Sequence, residues 1–101
     1  MPYIKQEDRA SFDGGIADII DIIFDNTTPD NHTGMLNYVI TSLLHEYLIG
    51  LQCAGHTLHY SDYSRVRGVL NDASDEFYRT VMGPYEDKKR EENGNVSVLE
   101  K

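Results

Sequence analysis

Residues 35–51, MLNYVITSLLHEYLIGL, decide the fold. Leu36, Val39, Ile40, Leu43, Leu44, Tyr47, Leu48 and Leu51 recur at steps of three and four, the spacing that places side chains on one side of an α-helix. At 100° per residue they spread over roughly half the circumference, wider than packing against one neighbour requires. The stretch therefore predicts a long central helix with a neighbour on each side of its apolar stripe. Its remaining face carries Asn37, Tyr38, Thr41, His45 and Ile49, uncharged and partly aromatic. Such a face is a lightly exposed surface, a second packing seam within the chain, a contact with another copy or the wall of a ligand pocket. Another copy, with the ligand close by, is the working expectation.

Towards the N-terminus, Ile16, Ile19, Ile20, Ile23 and Phe24 share one helical face and Asp18, Asp21 and Asp25 the other, which predicts a shorter amphipathic helix. Asp13 is placed to cap it, and residues 1–12 read as an arm in which Tyr3 and Ile4 dock and Lys5–Phe12 form a helical turn. The acidic stripe serves either as a solvated face or as a docking surface for a basic partner. Residues 25–34, DNTTPDNHTG, have no apolar member and read as a surface loop, with Thr33 as a cap for the central helix.

After the central helix, Gly55 breaks the pattern. Tyr63, Val66, Val69, Leu70, Ala73, Phe77 and Val81 then give a second long helix, antiparallel to the first, opened by Ser61 or Asp62 and interrupted at Gly83-Pro84. Arg65, Asp72, Asp75, Glu76 and Arg79 suit ion pairs along its outer face. Arg67 lies at the margin of the apolar stripe on the side of Tyr78, where a cation either extends to water or reads an anion beside an aromatic wall. Residues 84–94, PYEDKKREENG, form a short helix with Pro first, acids before bases and an Asn-Gly stop. Residues 95–101 either add a few extended residues or fray. The reading is one all-α domain, 1–101.

The 101 residues carry a formal charge of −8, which disfavours direct nucleic-acid binding and anionic lipid, both of which draw on Lys and Arg. The cations concentrate after residue 60, as Arg65, Arg67, Arg79, Lys88, Lys89, Arg90 and Lys101. A lone cysteine, Cys53, excludes an intrachain disulfide. With no signal-like start and no apolar run of membrane-spanning length, a cytoplasmic protein is expected. The sequon Asn26-Thr27-Thr28 has no meaning without secretion. His45, Cys53, His56 and His59 are zinc-ligand residue types, but Cys-x2-His-x2-His is no familiar zinc pattern, so no metal or cofactor is expected.

The start MPYIKQEDR, the segment LNYVIT, the GVL followed by EFYR, and the end PYEDKKREENGNV resemble a family of small prokaryotic and phage proteins of unknown function. The chain departs from that pattern with Gly34-Met35 where the family tends to have Gly-Glu, and with Gly94-Asn95-Val96 where it tends to have Gly-Asp-Val. The resemblance implies that the polar or amphipathic members of the matching segments, Asn37, Tyr38, Thr41, Tyr78, Arg79, Tyr85, Glu86 and Lys88, are the positions to suspect.

Without a catalytic constellation, the leading expectation is a non-enzymatic homo-oligomer that binds a small nucleotide-like anion. Tyr38, Tyr78 and Tyr85 would stack, Arg67, Arg79 and Lys88 would hold phosphate, and Asn37 and Thr41 would add polar contacts. Small acidic phage proteins that sequester nucleotide immune signals are similar in size and type. One alternative is an inhibitor that presents Asp18, Asp21 and Asp25 to a basic partner. Another is an all-α nucleotide pyrophosphatase, for which Asp72, Asp75 and Glu76 on one helix and Glu46 alone on the central helix are a sparse magnesium set.

Overall fold

The computed structural model describes residues 2–25 and 28–100. Four α-helices follow one another: α1 (Gln6–Phe24), α2 (His32–Cys53), α3 (Tyr60–Phe77) and α4 (Gly83–Asn93). A 3-10 turn, Pro29–Asn31, precedes α2, and a π-helical turn, Tyr78–Met82, separates α3 from α4. No strand occurs among the described residues, so the chain is all-α, as its apolar periodicity predicts. Asn26 and Thr27 of the sequon lie outside the described residues. The chain forms two compact units, Pro2–Val66 and a second that begins at Arg67, the boundary falling within α3.

In the first unit α1 begins well before the cap expected at Asp13. Lys5 holds non-helical angles and gives no side-chain cap, but Glu7 and Asp8 occupy the first turn, where carboxylates favour the positive end of the helix dipole. Arg9 fastens the arm by donating from Nε to the Ile4 carbonyl at 2.9 Å. Asp13 therefore lies inside the helix, which runs on through Gly14 and Gly15 despite a cost of about 1 kcal/mol per glycine relative to alanine. Tyr3 and Ile4, expected to dock, remain about half exposed. At the other end Phe24 meets His32 edge to face, with ring centroids 5.3 Å apart, which joins the end of α1 to the start of α2.

Helix α2 also starts earlier than its apolar run. Pro29 presets the backbone of the 3-10 turn, Asn31 donates its amide to the Thr28 carbonyl at 3.0 Å, and the helix continues from His32, so Thr33 lies within α2 and caps nothing. Its C-terminus closes as a Schellman motif. His56 N–H donates to the Leu51 carbonyl and Gly55 N–H to the Gln52 carbonyl, each at 3.0 Å, with Gly55 at φ 95. Helix α3 then opens at Tyr60. Asp62 reaches back from the third position to accept the His59 amide at 2.9 Å, half of a capping box, and also holds Arg65 at 2.7 Å.

Burial departs most from the sequence reading. Among the described residues only Ile23, 4% exposed, and Val66, 8% exposed, count as buried hydrophobics. Helix α2, expected to be the core, has no buried residue. Met35, Val39, Leu44, Leu48 and Leu51 are half-buried, whereas the middle of the stripe faces solvent. On α1, Phe12, Ile16, Ile20 and Phe24 step by four along an exposed ridge.

Two substitutions check the helix ends and interior by chemical denaturation followed by circular dichroism. Gly55→Ala should lose about 1–2 kcal/mol, because alanine is strained at this positive φ. Gly14→Ala should gain up to about 1 kcal/mol, since a Cβ there meets nothing within 4 Å.

Candidate functional site

The candidate residues fall into the two units. In the first, α1 and α2 bound an open groove of ≈ 550 Å³ lined by Ile19, Ile22, Ile23, Asn31, Gly34, Met35, Tyr38 and Val39. Tyr38 stands exposed at its wall. Asn37 and Thr41, one turn apart, satisfy each other, the Thr41 hydroxyl donating to Asn37 Oδ1 at 3.1 Å. No cation lines this groove. It suits apolar or aromatic groups, with Asn31 and Tyr38 as its polar side chains and no charge to hold a phosphate.

Beside the groove α2 carries a feature the sequence reading had assigned to the core. Leu36, Ile40, Leu43 and Tyr47 are 44%, 44%, 59% and 50% exposed. Their steps of four, three and four are the spacing of a coiled-coil seam. The spacing was visible in the sequence. It specifies one face of a helix and does not say what lies against it.

In the second unit Tyr78 and Arg79 sit in the π-helical turn Tyr78–Met82, with Thr80 donating its hydroxyl to the Glu76 carbonyl at 2.8 Å. Pro84 explains the turn. It has no amide to give, and its ring would collide with the carbonyl one turn earlier, so the backbone widens by a residue and continues into α4. The interruption expected at Gly83-Pro84 is thus a widened turn in a continuing helix. The fit is close, for a Cβ on Gly83 would stand 3.1 Å from the Tyr78 carbonyl oxygen. Arg79 pairs with Glu76. Along α4 Lys89 lies over the Tyr85 ring, 5.8 Å from its centroid, and also reaches Glu92 at 3.2 Å, while Arg90 is 3.5 Å from Asp87. Helix α4 stops at Gly94, φ 90, as the Asn-Gly signal predicts.

Arg67 and Lys88 are exposed, and no ion pair or side-chain hydrogen bond involves either among the described residues. The geometry brings Asn37, Tyr38 and Thr41 together on α2 and Tyr78 and Arg79 together in the π turn. Tyr85 is matched with Lys89 rather than Lys88.

The profile of a domain of unknown function, DUF6899, matches residues 1–96. The chain belongs to that family. The match accords with the resemblance to a family of unknown function. No match was found among curated proteins or among solved structures. Among the described residues of this DUF6899 chain, no three His, Cys, Asp or Glu side chains converge in a way that could hold a metal ion. No described helix is long and apolar enough to cross a membrane.

Pro84→Ala tests the origin of the widened turn. It restores an amide and removes the ring, so the segment 78–84 should relax towards a regular α-helix. Amide hydrogen exchange within it should slow, and exchange in residues 32–53 should not change.

Proposed function

We propose that the protein is a non-catalytic binding protein that works as an assembly of identical chains and takes a small nucleotide-type anion as its ligand. One observation carries the assembly half of this reading: the most apolar helix of the chain has no buried residue. Half-exposed apolar side chains along α2, and the ridge on α1, are surface that a soluble monomer rarely leaves open in one patch. Another copy is the covering such a chain always has to hand.

The ligand half draws support from Arg67 and Lys88. In a chain of net charge −8, where Arg65, Arg79, Lys89 and Arg90 each hold an acid, these two hold none. Exposed Tyr78 and Tyr85 lie in the same part of the sequence and could stack on a base. A phage-encoded protein of this kind would act in the host cytoplasm by withdrawing a nucleotide signal from a defence system. Calorimetric titration of the purified protein with cyclic nucleotides and ADP-ribose derivatives tests the ligand. Binding to one of them, weakened at least tenfold in Arg67→Ala and Lys88→Ala, is the expected result. A flat response across the panel, with nothing co-purified by native mass spectrometry, rejects it.

A second reading rests on Asp18 and Asp21, exposed on α1, and Asp25, exposed at its C-cap, all three without a cationic partner among the described residues. They suit an inhibitor that docks on a basic protein. The triple neutralisation to Asn should then abolish binding of that partner while the circular dichroism spectrum stays that of the parent. Unchanged binding would remove this reading.

A further inference from the structure

We infer that the exposed seam of α2, Leu36, Ile40, Leu43 and Tyr47, is where a second copy of this chain docks, its own α2 running antiparallel across a two-fold axis. The inference rests on the self-assembly part of the function proposed above and names the surface and the mode of pairing.

Three observations select a second copy. First, the seam is self-complementary. A two-fold axis between Thr41 and Ser42 sets Leu36 against Tyr47 of the partner subunit and Ile40 against Leu43 of the partner subunit, so the outer layers combine a larger and a smaller side chain and the inner layers two aliphatic side chains of equal size. That is what an isologous contact demands of one patch. Parallel pairing would instead stack two tyrosines in one layer and leave Gly50 facing Gly50 in the next, and it would align the helix dipoles that the antiparallel arrangement opposes.

Second, the charges permit it. From His32 to Cys53 the only formal charge is Glu46. Under the antiparallel two-fold, the two Glu46 carboxylates stand roughly 14 Å apart along the axis, beyond the screening length at physiological salt. Two copies of a chain with net charge −8 can therefore meet here without opposing their acids. A dissimilar partner would have no charge on this seam to select it, whereas such complexes ordinarily use charge for steering and specificity.

Third, the area is of the right order. The 22 residues of α2 extend about 33 Å, and a helix is about 10 Å across, so the seam and its flanks offer several hundred Å² per copy. The exposed Phe12, Ile16, Ile20 and Phe24 of the same unit offer further apolar surface towards the roughly 800 Å² per partner of a stable interface.

Light scattering coupled to size exclusion, run on the full chain, tests the inference together with disulfide trapping. The wild type should elute as a dimer or a higher even assembly. Ile40→Glu and Leu43→Glu should each weaken association at least tenfold and yield monomer, while Gln52→Glu, on an exposed position off the seam, should leave the mass unchanged. In a Cys53→Ser background, a mixture of Leu36→Cys and Tyr47→Cys chains should oxidise to a mixed disulfide dimer, and neither variant alone should cross-link appreciably. Trapping does not depend on the glutamate variants folding. If the assembly survives both glutamates, this surface is wrong and the self-assembly reading stands. Self-cross-linking of Leu36→Cys overturns the antiparallel pairing. A monomeric wild type, whether the seam is bare or covered by another part of the chain, overturns both the inference and the assembly reading.

Discussion

The apolar side of α2 has too little within residues 2–66 to cover it. Ile23 is the one side chain of α1 that becomes buried, and the Phe24 and His32 rings meet where the two helices join. Beyond that junction the two apolar faces remain largely open. The groove between α1 and α2 stays apolar and uncharged. Helices in water depend more on burying an amphipathic face than on propensity, and this uncovered face is the ground on which the proposed self-assembly rests.

The second unit is governed by a different constraint. Its side chains are mostly polar, and its ion pairs join residues three apart on exposed helix faces, a kind that contributes little to stability. What fixes its geometry is backbone chemistry: the missing amide of Pro84, the π turn that accommodates it and the glycine stop after Asn93. Widened turns of this type recur at functional sites because they aim neighbouring side chains in directions a regular helix cannot reach. Tyr78 and Arg79 are the residues so aimed.

Much of this was legible in the sequence, because it depends on local rules. The helical class came from apolar spacing, the end of α2 from Gly55, and the stop of α4 from Asn93-Gly94. Starts were harder to place. Asp13 had the chemistry of a cap but was overridden by Glu7, Asp8 and the Arg9 to Ile4 hydrogen bond, which only coordinates reveal. Thr33 lost its role to the turn that Pro29 imposes. Asp62 did cap α3, though from inside the helix rather than from its edge. For the candidate site, the sequence singled out Asn37, Tyr38 and Thr41, which lie on α2, and Tyr78 and Arg79, which lie in the π turn, whereas the lack of acid partners for Arg67 and Lys88 shows only in the structure. The sequence reading misassigned Leu36, Ile40, Leu43 and Tyr47, since periodicity reports that a face is apolar and is silent on whether the covering surface belongs to the same molecule.

Under the self-assembly proposed above, the absence of any buried residue in α2 would have a consequence for how much of the protein a cell must make. A chain that buries its main helix only against other copies has a folded fraction that rises with its own concentration, because association and folding then share one equilibrium. Few molecules would remain partly open and available to proteases, whereas a burst of synthesis would carry the population into the protected form. Abundance would thus act as a threshold, and the onset of function would be sharper than the rise in expression that produced it.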